Sequence, residues 1–292
     1  MTEVYGASRI KRHRATQDEM EARATFLLAY ANQHGPVTVR QLYYVAEVHG
    51  VPGISKDDAD YDKVQRQVLK LRRDGRMPYS AIADATRWMR RPRTYDSVAD
   101  ALAETAALYR RNLWQEHSEH LEIWVEKDAL AGVIYPVTAK YGVPLMVSRG
   151  FSSETFAFEA AQSYAADGRP VHVYHLGDFD RSGVDAAEDL RKKLTGFAAQ
   201  ANVEVNFTRL GVTLEQIRDW SLPTRAPKRT SAADRRWPHD FACELDAIEP
   251  DVMRSLVRDA IRQHVPDEEL RATLAAEESE RQLLHAFARR AA

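Results

Sequence analysis

Val171-His-Val-Tyr-His-Leu-Gly-Asp-Phe-Asp-Arg-Ser-Gly183 is a β-branched, apolar run that stops in two carboxylates one residue apart. Such residues suit a pleated strand, and a strand alternates faces, so Asp178 and Asp180 point the same way. Gly177 and Gly183 allow the backbone to turn sharply on either side of the pair. Two carboxylates side by side repel unless a cation sits between them, and hard oxygen donors suit Mg²⁺. The same pattern also fits an acidic turn in which an Asp caps the next helix. A second apolar run, Leu121-Glu-Ile-Trp-Val-Glu126-Lys-Asp, likewise ends in an acid just ahead of a helix. In open α/β sheets ligands gather at the carboxyl ends of the strands, so Glu126, Asp178 and Asp180 are expected over one edge.

Working outward, the periodicity predicts strand 121–126, helix 128–141, strand 144–148, helix 153–166, strand 171–176, helix 185–194 and strand 203–210. That alternation predicts an α/β fold with a parallel, Rossmann-like sheet and right-handed crossovers. Neither GxGxxG nor GxxxxGK[ST] occurs, so dinucleotide and ATP sites of those types are not indicated. Residues 222–241 read as a long loop with Arg225, Lys228, Arg229, Arg235 and Arg236, and loops of that length are functional or disordered. Glu244 and Asp246 follow it, and helices at 250–263 and 267–290 are expected to cover the sheet.

Upstream, Ser8-Arg-Ile-Lys-Arg-His-Arg14 is a basic arm, suited to phosphate contact or to a solvated tail. Helical spacing over 17–33 ends at His34-Gly-Pro36. Thr38 and Gln41 then form a capping box, with Val37 against Leu42 as a hydrophobic staple, for a helix that closes at Gly50. A third helix, 61–74, carries Lys63, Arg66, Lys70, Arg72 and Arg73 around an apolar stripe, and 75–82 could begin a short hairpin. Three helices, the last basic, followed by such a wing predict a winged-helix DNA-binding domain over residues 1–93. Trp88-Met-Arg-Arg-Pro-Arg93 marks its boundary, 94–120 reads as one long connector helix, and 121–292 hold the sheet domain with its C-terminal helices. His117 and His120 sit three apart, but without a third ligand or an HExxH pattern they do not make a zinc site.

The chain has 292 residues, 44% of them hydrophobic, and a formal net charge of −2. That charge is unevenly spread: residues 1–93 hold 17 Lys+Arg against 11 Asp+Glu, or +6, which leaves −8 for the remainder. A basic front and an acidic back suit a protein that grips phosphates with one part and metal with the other. The single Cys243 excludes an internal disulfide and a cysteine zinc site, and fits a buried small hydrophobe. With no signal-like or membrane-length apolar run, the expected location is the cytoplasm, with no membrane partner.

Glu126 in Val-Glu-Lys-Asp-Ala-Leu and Asp178 and Asp180 in Gly-Asp-Phe-Asp-Arg-Ser-Gly resemble the Mg²⁺-binding residues of the Toprim domain. A winged helix followed by Toprim is similar to the A subunit of topoisomerase VI and its meiotic double-strand-break relatives, and to short phage and actinobacterial proteins that combine the same modules. In that family a helix of the winged-helix domain carries the DNA-cleaving tyrosine, often the second of a Tyr-Tyr pair shortly after an arginine. Thr38-Val-Arg40-Gln-Leu-Tyr43-Tyr44 resembles that motif. Arg181 stands where many members have proline, which changes the turn and leaves the ligands intact. No ATPase module is present, so strand passage implies a separate ATPase partner.

The resemblance implies a DNA topoisomerase VI A-like enzyme in which Tyr44 attacks a phosphodiester of duplex DNA, with Mg²⁺ on Glu126, Asp178 and Asp180, giving a phosphotyrosyl break. It also implies a homodimer, the tyrosine of one protomer meeting the metal site of the other. Helix geometry agrees in one respect: Arg40 and Tyr44, four apart, share a face, whereas Tyr43 points about 100° away. On the residues alone Tyr44 reads first as an aromatic packed in a helical core, and its role as nucleophile is what the resemblance implies. The alternatives are a Toprim nuclease that hydrolyses DNA with metal-activated water, and a non-catalytic DNA-binding protein. Against the last, a binding module gains nothing from unpaired acids near DNA.

Overall fold

The computed structural model describes residues 15–83, 94–230 and 234–291; the basic arm at 8–14 and the basic boundary at 88–93 lie outside them. Three helices open the described chain: α1 (Gln17–His34), α2 (Val39–Val48) and α3 (Asp58–Arg73). Each begins on a side-chain cap. Thr16 and Glu19 form a capping box on α1, Thr38 and Gln41 form the expected one on α2, and Asp57 accepts from Ala59 N–H on α3. Such caps satisfy N–H groups that have no partner within the helix. The three helices pack on one another through Leu27, Leu42, Val64, Val68 and Leu71, all essentially inaccessible to solvent.

Of the expected hairpin only the first part, residues 75–83, lies among the described residues. Met77 and Ile82 are drawn into the helical core, a 3₁₀ turn runs over Tyr79–Ala81, and Ile82 forms a single parallel bridge to Val37. The connector departs from expectation. Helix α4 (Val98–Leu108) stops well short of residue 120 because tertiary partners take the next backbone groups. Glu277 accepts from Arg111 N–H, Arg281 donates to Tyr109 C=O, and Arg169 donates to the carbonyls of Trp114 and His117.

The rest of the chain is α/β. Strands β1 (His120–Val125), β2 (Leu145–Val147), β3 (Val171–Leu176) and β4 (Val205–Gly211) form one all-parallel sheet in the order β2-β1-β3-β4. Helices α5 (Asp128–Lys140), α6 (Glu154–Asp167) and α7 (Arg181–Ala199) connect them. Being central, β1 and β3 are buried on both faces, which is why they read as near-continuous apolar runs. Alternation divides them: Leu121, Ile123, Val125 and Leu176 join one core, and Trp124, Val171 and Val173 join a second with Ala157, Ala161, Leu190 and Leu194 of α6 and α7. Full burial of one such aliphatic side chain contributes about 1.5–3 kcal/mol.

The first core is continuous from α1 through the sheet to the C-terminal part, so the helical and α/β halves share it. After the short α8 (Leu214–Asp219), the chain reaches α9 (Pro250–Arg262), which packs on α5 and reaches β4. Arg254 of α9 donates to the carbonyls of His34, Pro36 and Val133, tying both halves together. Helix α10 (Asp267–Ala291) packs chiefly against α4, so of the two C-terminal helices α9 is the one that covers the sheet. Among the described residues no helix is long and apolar enough to cross a membrane.

The N-terminus of α2 is a second tie between the halves. The Thr38 hydroxyl caps Gln41 N–H and donates to Asp246 Oδ1 at 3.0 Å, while Gln41 Nε2 donates to Ile248 C=O. Thr38→Val keeps the shape and loses both hydroxyl bonds in a buried setting. Urea denaturation is expected to show a loss of about 1–3 kcal/mol, and an unchanged midpoint would remove this contact from the docking interface.

Candidate functional site

Glu126 leaves the end of β1, its N–H donating to Leu176 C=O, and its Oε2 accepts from Asp178 N–H at 3.1 Å. Asp178 and Asp180 follow the end of the neighbouring β3, so the register of adjacent parallel strands brings all three carboxylates together. The flanking glycines serve space, not backbone sign. A Cβ at Gly177 would lie 2.8 Å from Glu126 Oε2, and one at Gly183 would lie 2.4 Å from Asp178 C=O. Neither residue has a positive φ.

Each acid has different partners. Asp178 Oδ1 accepts from Leu245 N–H at 2.7 Å and pairs with Lys127 Nζ at 3.0 Å. Asp180 is the N-cap of α7: its Oδ1 accepts from Gly183 N–H and the Ser182 hydroxyl, and its Oδ2 pairs with Arg225 at 2.9 Å. It thus satisfies both sequence readings, helix cap and member of an acid cluster. Burial works to raise the Asp180 pKa, but those hydrogen bonds and the Arg225 charge outweigh it and hold the carboxyl below its usual range. Glu126 goes the other way. Burial first, and the Asp178 charge second, push its pKa up.

Residues from the long loop and its far end complete the cluster. Lys127 Nζ lies 2.7 Å from Asp246 and 3.5 Å from Glu244 in addition to Asp178; burial opposes its charge, yet the three carboxylates raise its pKa. Arg225 Nε and Arg40 Nη1 reach Glu244 at 3.2 and 3.1 Å. Beneath the turn, Arg209 of β4 donates to the carbonyls of Gly177, Asp178 and Val212 and fixes the backbone that carries the acids. The site opens into a cleft of about 840 Å³, rimmed by Arg40, Arg72, Arg225 and Lys228.

The described parts of the long loop, 222–230 and 234–241, are folded onto this site. Arg225 and Ala242, and Phe179 and Cys243, form antiparallel bridges, and Phe179 packs among Trp237, His239 and Phe241. The residue between the two aspartates is therefore the anchor that brings Arg225 and Glu244 into place. Sequence reading saw the basic loop and the two later acids but had no spacing rule to connect them to Asp178. Lys127 reads from the sequence as a phosphate contact or a solvated strand-end lysine, and instead it is the shared partner of three carboxylates; Arg209 carries no sequence signal. Cys243 is fully buried, and burial pushes its thiol up to about 12.

Arg40 stands in the cleft wall, stacked over the Tyr61 ring at 4.6 Å. Tyr44 does not line that cleft. It is 7% exposed, against Tyr43 with ring centroids 5.3 Å apart, and borders a separate cavity of about 270 Å³ with Val48, Trp220 and Leu222. Burial and the nearby Glu244 charge drive its pKa well up, although Arg40 pulls the other way. Arg40 and Tyr44 are thus neighbours, as their four-residue spacing requires, but the phenol is not the exposed group that a nucleophile in this cleft would be. Tyr43 is also buried and donates to Ser55 C=O. His117 and His120 do not share a ligand site: one pairs with Glu269 and the other with Glu122.

The sequence matches no family model, and it matches none of the curated proteins.

The raised Glu126 pKa makes a signed prediction. The folded state binds that proton more tightly than the unfolded chain, so above the ordinary glutamate range the ionised side chain destabilises the fold. Glu126→Gln is therefore expected to raise the melting temperature at neutral pH, with the gain vanishing at acid pH where both states are protonated. A lower melting temperature at neutral pH would contradict the assignment. Lys127→Met is expected to do the reverse: it leaves Asp178, Glu244 and Asp246 without their shared cation and costs about 3–5 kcal/mol, read by chemical denaturation.

Proposed function

We propose that this chain cleaves phosphodiester bonds of duplex DNA in the acidic cleft, with Mg²⁺ as cofactor, and that it pairs a winged-helix module with a Toprim-type sheet as in topoisomerase VI A-like proteins. The observation that carries the reading is the meeting of Glu126, Asp178 and Asp180 at the carboxyl ends of adjacent parallel strands, beside Arg40, Arg72, Arg225 and Lys228. Acids alone would repel a phosphate, and basic residues alone would only bind it. Both together suit a metal and a phosphate in one place.

The donor set fits the ion. All three ligands are hard oxygens, and among the described residues Glu126 Oε1 and Asp178 Oδ2 accept no hydrogen bond, while Asp180 Oδ2 is held by Arg225, a pairing that Mg²⁺ would displace. Mg²⁺ held there would neutralise charge developing on the phosphate oxygens. Arg40 and Arg225 would clamp the phosphate through paired N–H donors, and Lys127 keeps the cluster together while remaining charged. The basic face of α3 would follow the DNA backbone on one side of the cleft.

For the attacking group, the geometry favours water over Tyr44. A phenol that is 7% exposed, with its pKa raised and its ring outside the cleft, is poorly placed to reach a phosphodiester bound there. Hydrolysis is thus the leading reading. Tyrosine attack is the second, supported by the Arg40–Tyr44 contact, and within a homodimer working with an ATPase partner it would require the α2 surface to open.

Incubation of supercoiled DNA with the full-length protein and Mg²⁺ tests both readings. Asp178→Asn and Asp180→Asn are expected to weaken Mg²⁺ binding at least tenfold by calorimetry and to abolish cleavage, with the fold retained because Asn at 180 still caps the helix and Asn at 178 can still accept from Leu245 N–H. Cleavage at the wild-type rate in both variants would sink the metal assignment. Tyr44→Phe is expected to cut normally, and denaturant quenching should trap no protein–DNA adduct. Loss of cutting at an unchanged melting temperature, together with an adduct in the wild type, would replace hydrolysis with phosphotyrosyl chemistry.

DNA affinity of the full-length chain is expected to fall linearly on a log–log plot against salt, since Lys and Arg displace condensed counterions. A flat salt response would argue against backbone contact by the basic face.

A further inference from the structure

At the opposite end of the same strands lies a second group of metal-ligating side chains. Glu119 directly precedes β1, His172 is the second residue of β3, and His264 follows the end of α9. The Glu119 carboxylate oxygens lie 2.9 Å from His172 Nε2 and 2.5 Å from His264 Nδ1, and the two imidazole centroids are 4.6 Å apart. One ligand atom from each residue can be chosen so that all lie within 4.8 Å of one another. Six residues of extended chain, about 20 Å, separate His172 from Asp178, so this group is distinct from the acidic cleft.

We propose that Glu119, His172 and His264 form a Zn²⁺ site, with His172 Nε2, His264 Nδ1 and one Glu119 oxygen as ligands and a water in the fourth position. Two imidazole nitrogens with one carboxylate is a donor set that Zn²⁺ takes at about 2.0–2.2 Å, and it is softer than the all-oxygen cluster at the other end of the sheet. Ligand atoms of a tetrahedral ion lie about 3.3 Å apart, so the ion would replace the direct contacts of Glu119 with the two imidazoles as the side chains move apart to admit it.

The outer contacts support this choice. His172 and Tyr174 are two apart on β3 and face the same side, where the Tyr174 hydroxyl lies 2.9 Å from His264 Nε2. A zinc-ligating histidine characteristically uses its other ring nitrogen in a hydrogen bond that fixes ring and tautomer. In the His264 tautomer with Nε2–H donating to Tyr174, Nδ1 keeps its lone pair for the ion; in the other, Nδ1–H donates to Glu119 and Nε2 accepts from the Tyr174 hydroxyl, and metal binding selects the first. The side chains of Glu119, His172 and His264 are 30%, 25% and 9% exposed, so an ion can enter from solvent. The ligands come from the segment ahead of β1, from β3 and from the end of α9, so the ion would clamp that helix to the sheet.

The test uses tag-free, full-length protein stripped with a chelator and held in excess Mg²⁺. Zn²⁺ is titrated by calorimetry and Co²⁺ by visible absorption. One equivalent of Zn²⁺ is expected to bind, to persist in Asp178→Asn, and to raise the melting temperature; Co²⁺ should give the intense visible bands of a tetrahedral site. His172→Gln and Glu119→Gln, at partly exposed positions, are expected to keep the far-ultraviolet circular dichroism of the wild type and to lower Zn²⁺ affinity at least tenfold. Wild-type Zn²⁺ affinity in His172→Gln, or a Zn²⁺ equivalent that disappears in Asp178→Asn, would overturn the proposal.

Discussion

Lys127 is the charge on which the acidic cleft depends. Its ammonium is largely withdrawn from water, which by itself would favour the neutral amine, yet Asp246, Asp178 and Glu244 surround it closely enough to keep it protonated. Each of those carboxylates in turn needs it, because together they would repel. The contact is also mechanical. It joins the end of β1 to the end of β3 and to the segment before α9, and Asp246 passes the connection on to Thr38 and so to α2. A buried ion cluster of this kind is weak evidence of net stability, since desolvation opposes the Coulomb gain. What it does supply is a single arrangement: Lys127 cannot leave without stranding the carboxylates gathered around it.

The same arrangement explains how a loop rich in proline and arginine becomes part of a site. Phe179 lies between the two aspartates, turned into an aromatic group with Trp237, His239 and Phe241, while Asp178 and Asp180 face the cleft. Burial of those rings holds the loop against the turn, and that places Arg225 across Asp180 and Glu244. The apolar side of the Asp-Phe-Asp turn therefore organises the basic residues that the polar side requires. Arg209 acts from below in the same sense, binding the carbonyls of the turn so that the acids cannot swing apart.

The two ends of the parallel sheet carry different donor chemistry. At the carboxyl ends are hard oxygens with basic neighbours, suited to Mg²⁺ and phosphate; at the amino ends are two imidazoles and one carboxylate, suited to a softer ion. Parallel strands make this segregation natural, because every strand starts on one side of the sheet and finishes on the other. The carboxyl-terminal side faces the helical half, and the amino-terminal side faces the end of α9, so the two groups of side chains do not compete for space.

The amino-acid sequence by itself determined the parallel sheet, because two-faced burial leaves continuous apolar strands and each connecting helix has its own period. It also determined that Glu126, Asp178 and Asp180 would meet, because adjacent parallel strands finish at one edge, and that Arg40 and Tyr44 would be neighbours, because four residues make about one helical turn. These features are local, or follow from one topological rule. Tertiary packing alone decided the remainder. Nothing in the spacing of 222–246 says that its aromatic residues find Phe179, that the helix after Ser97 gives up its backbone at Tyr109 to Arg281, or that Glu119, His172 and His264 come within reach of one another. Tyr44 is the plainest case: helix geometry placed it beside Arg40, but whether its hydroxyl faced solvent or core depended on the wall that Trp220, Leu222 and the Glu244 segment build against α2, and burial is a property of all those surfaces together.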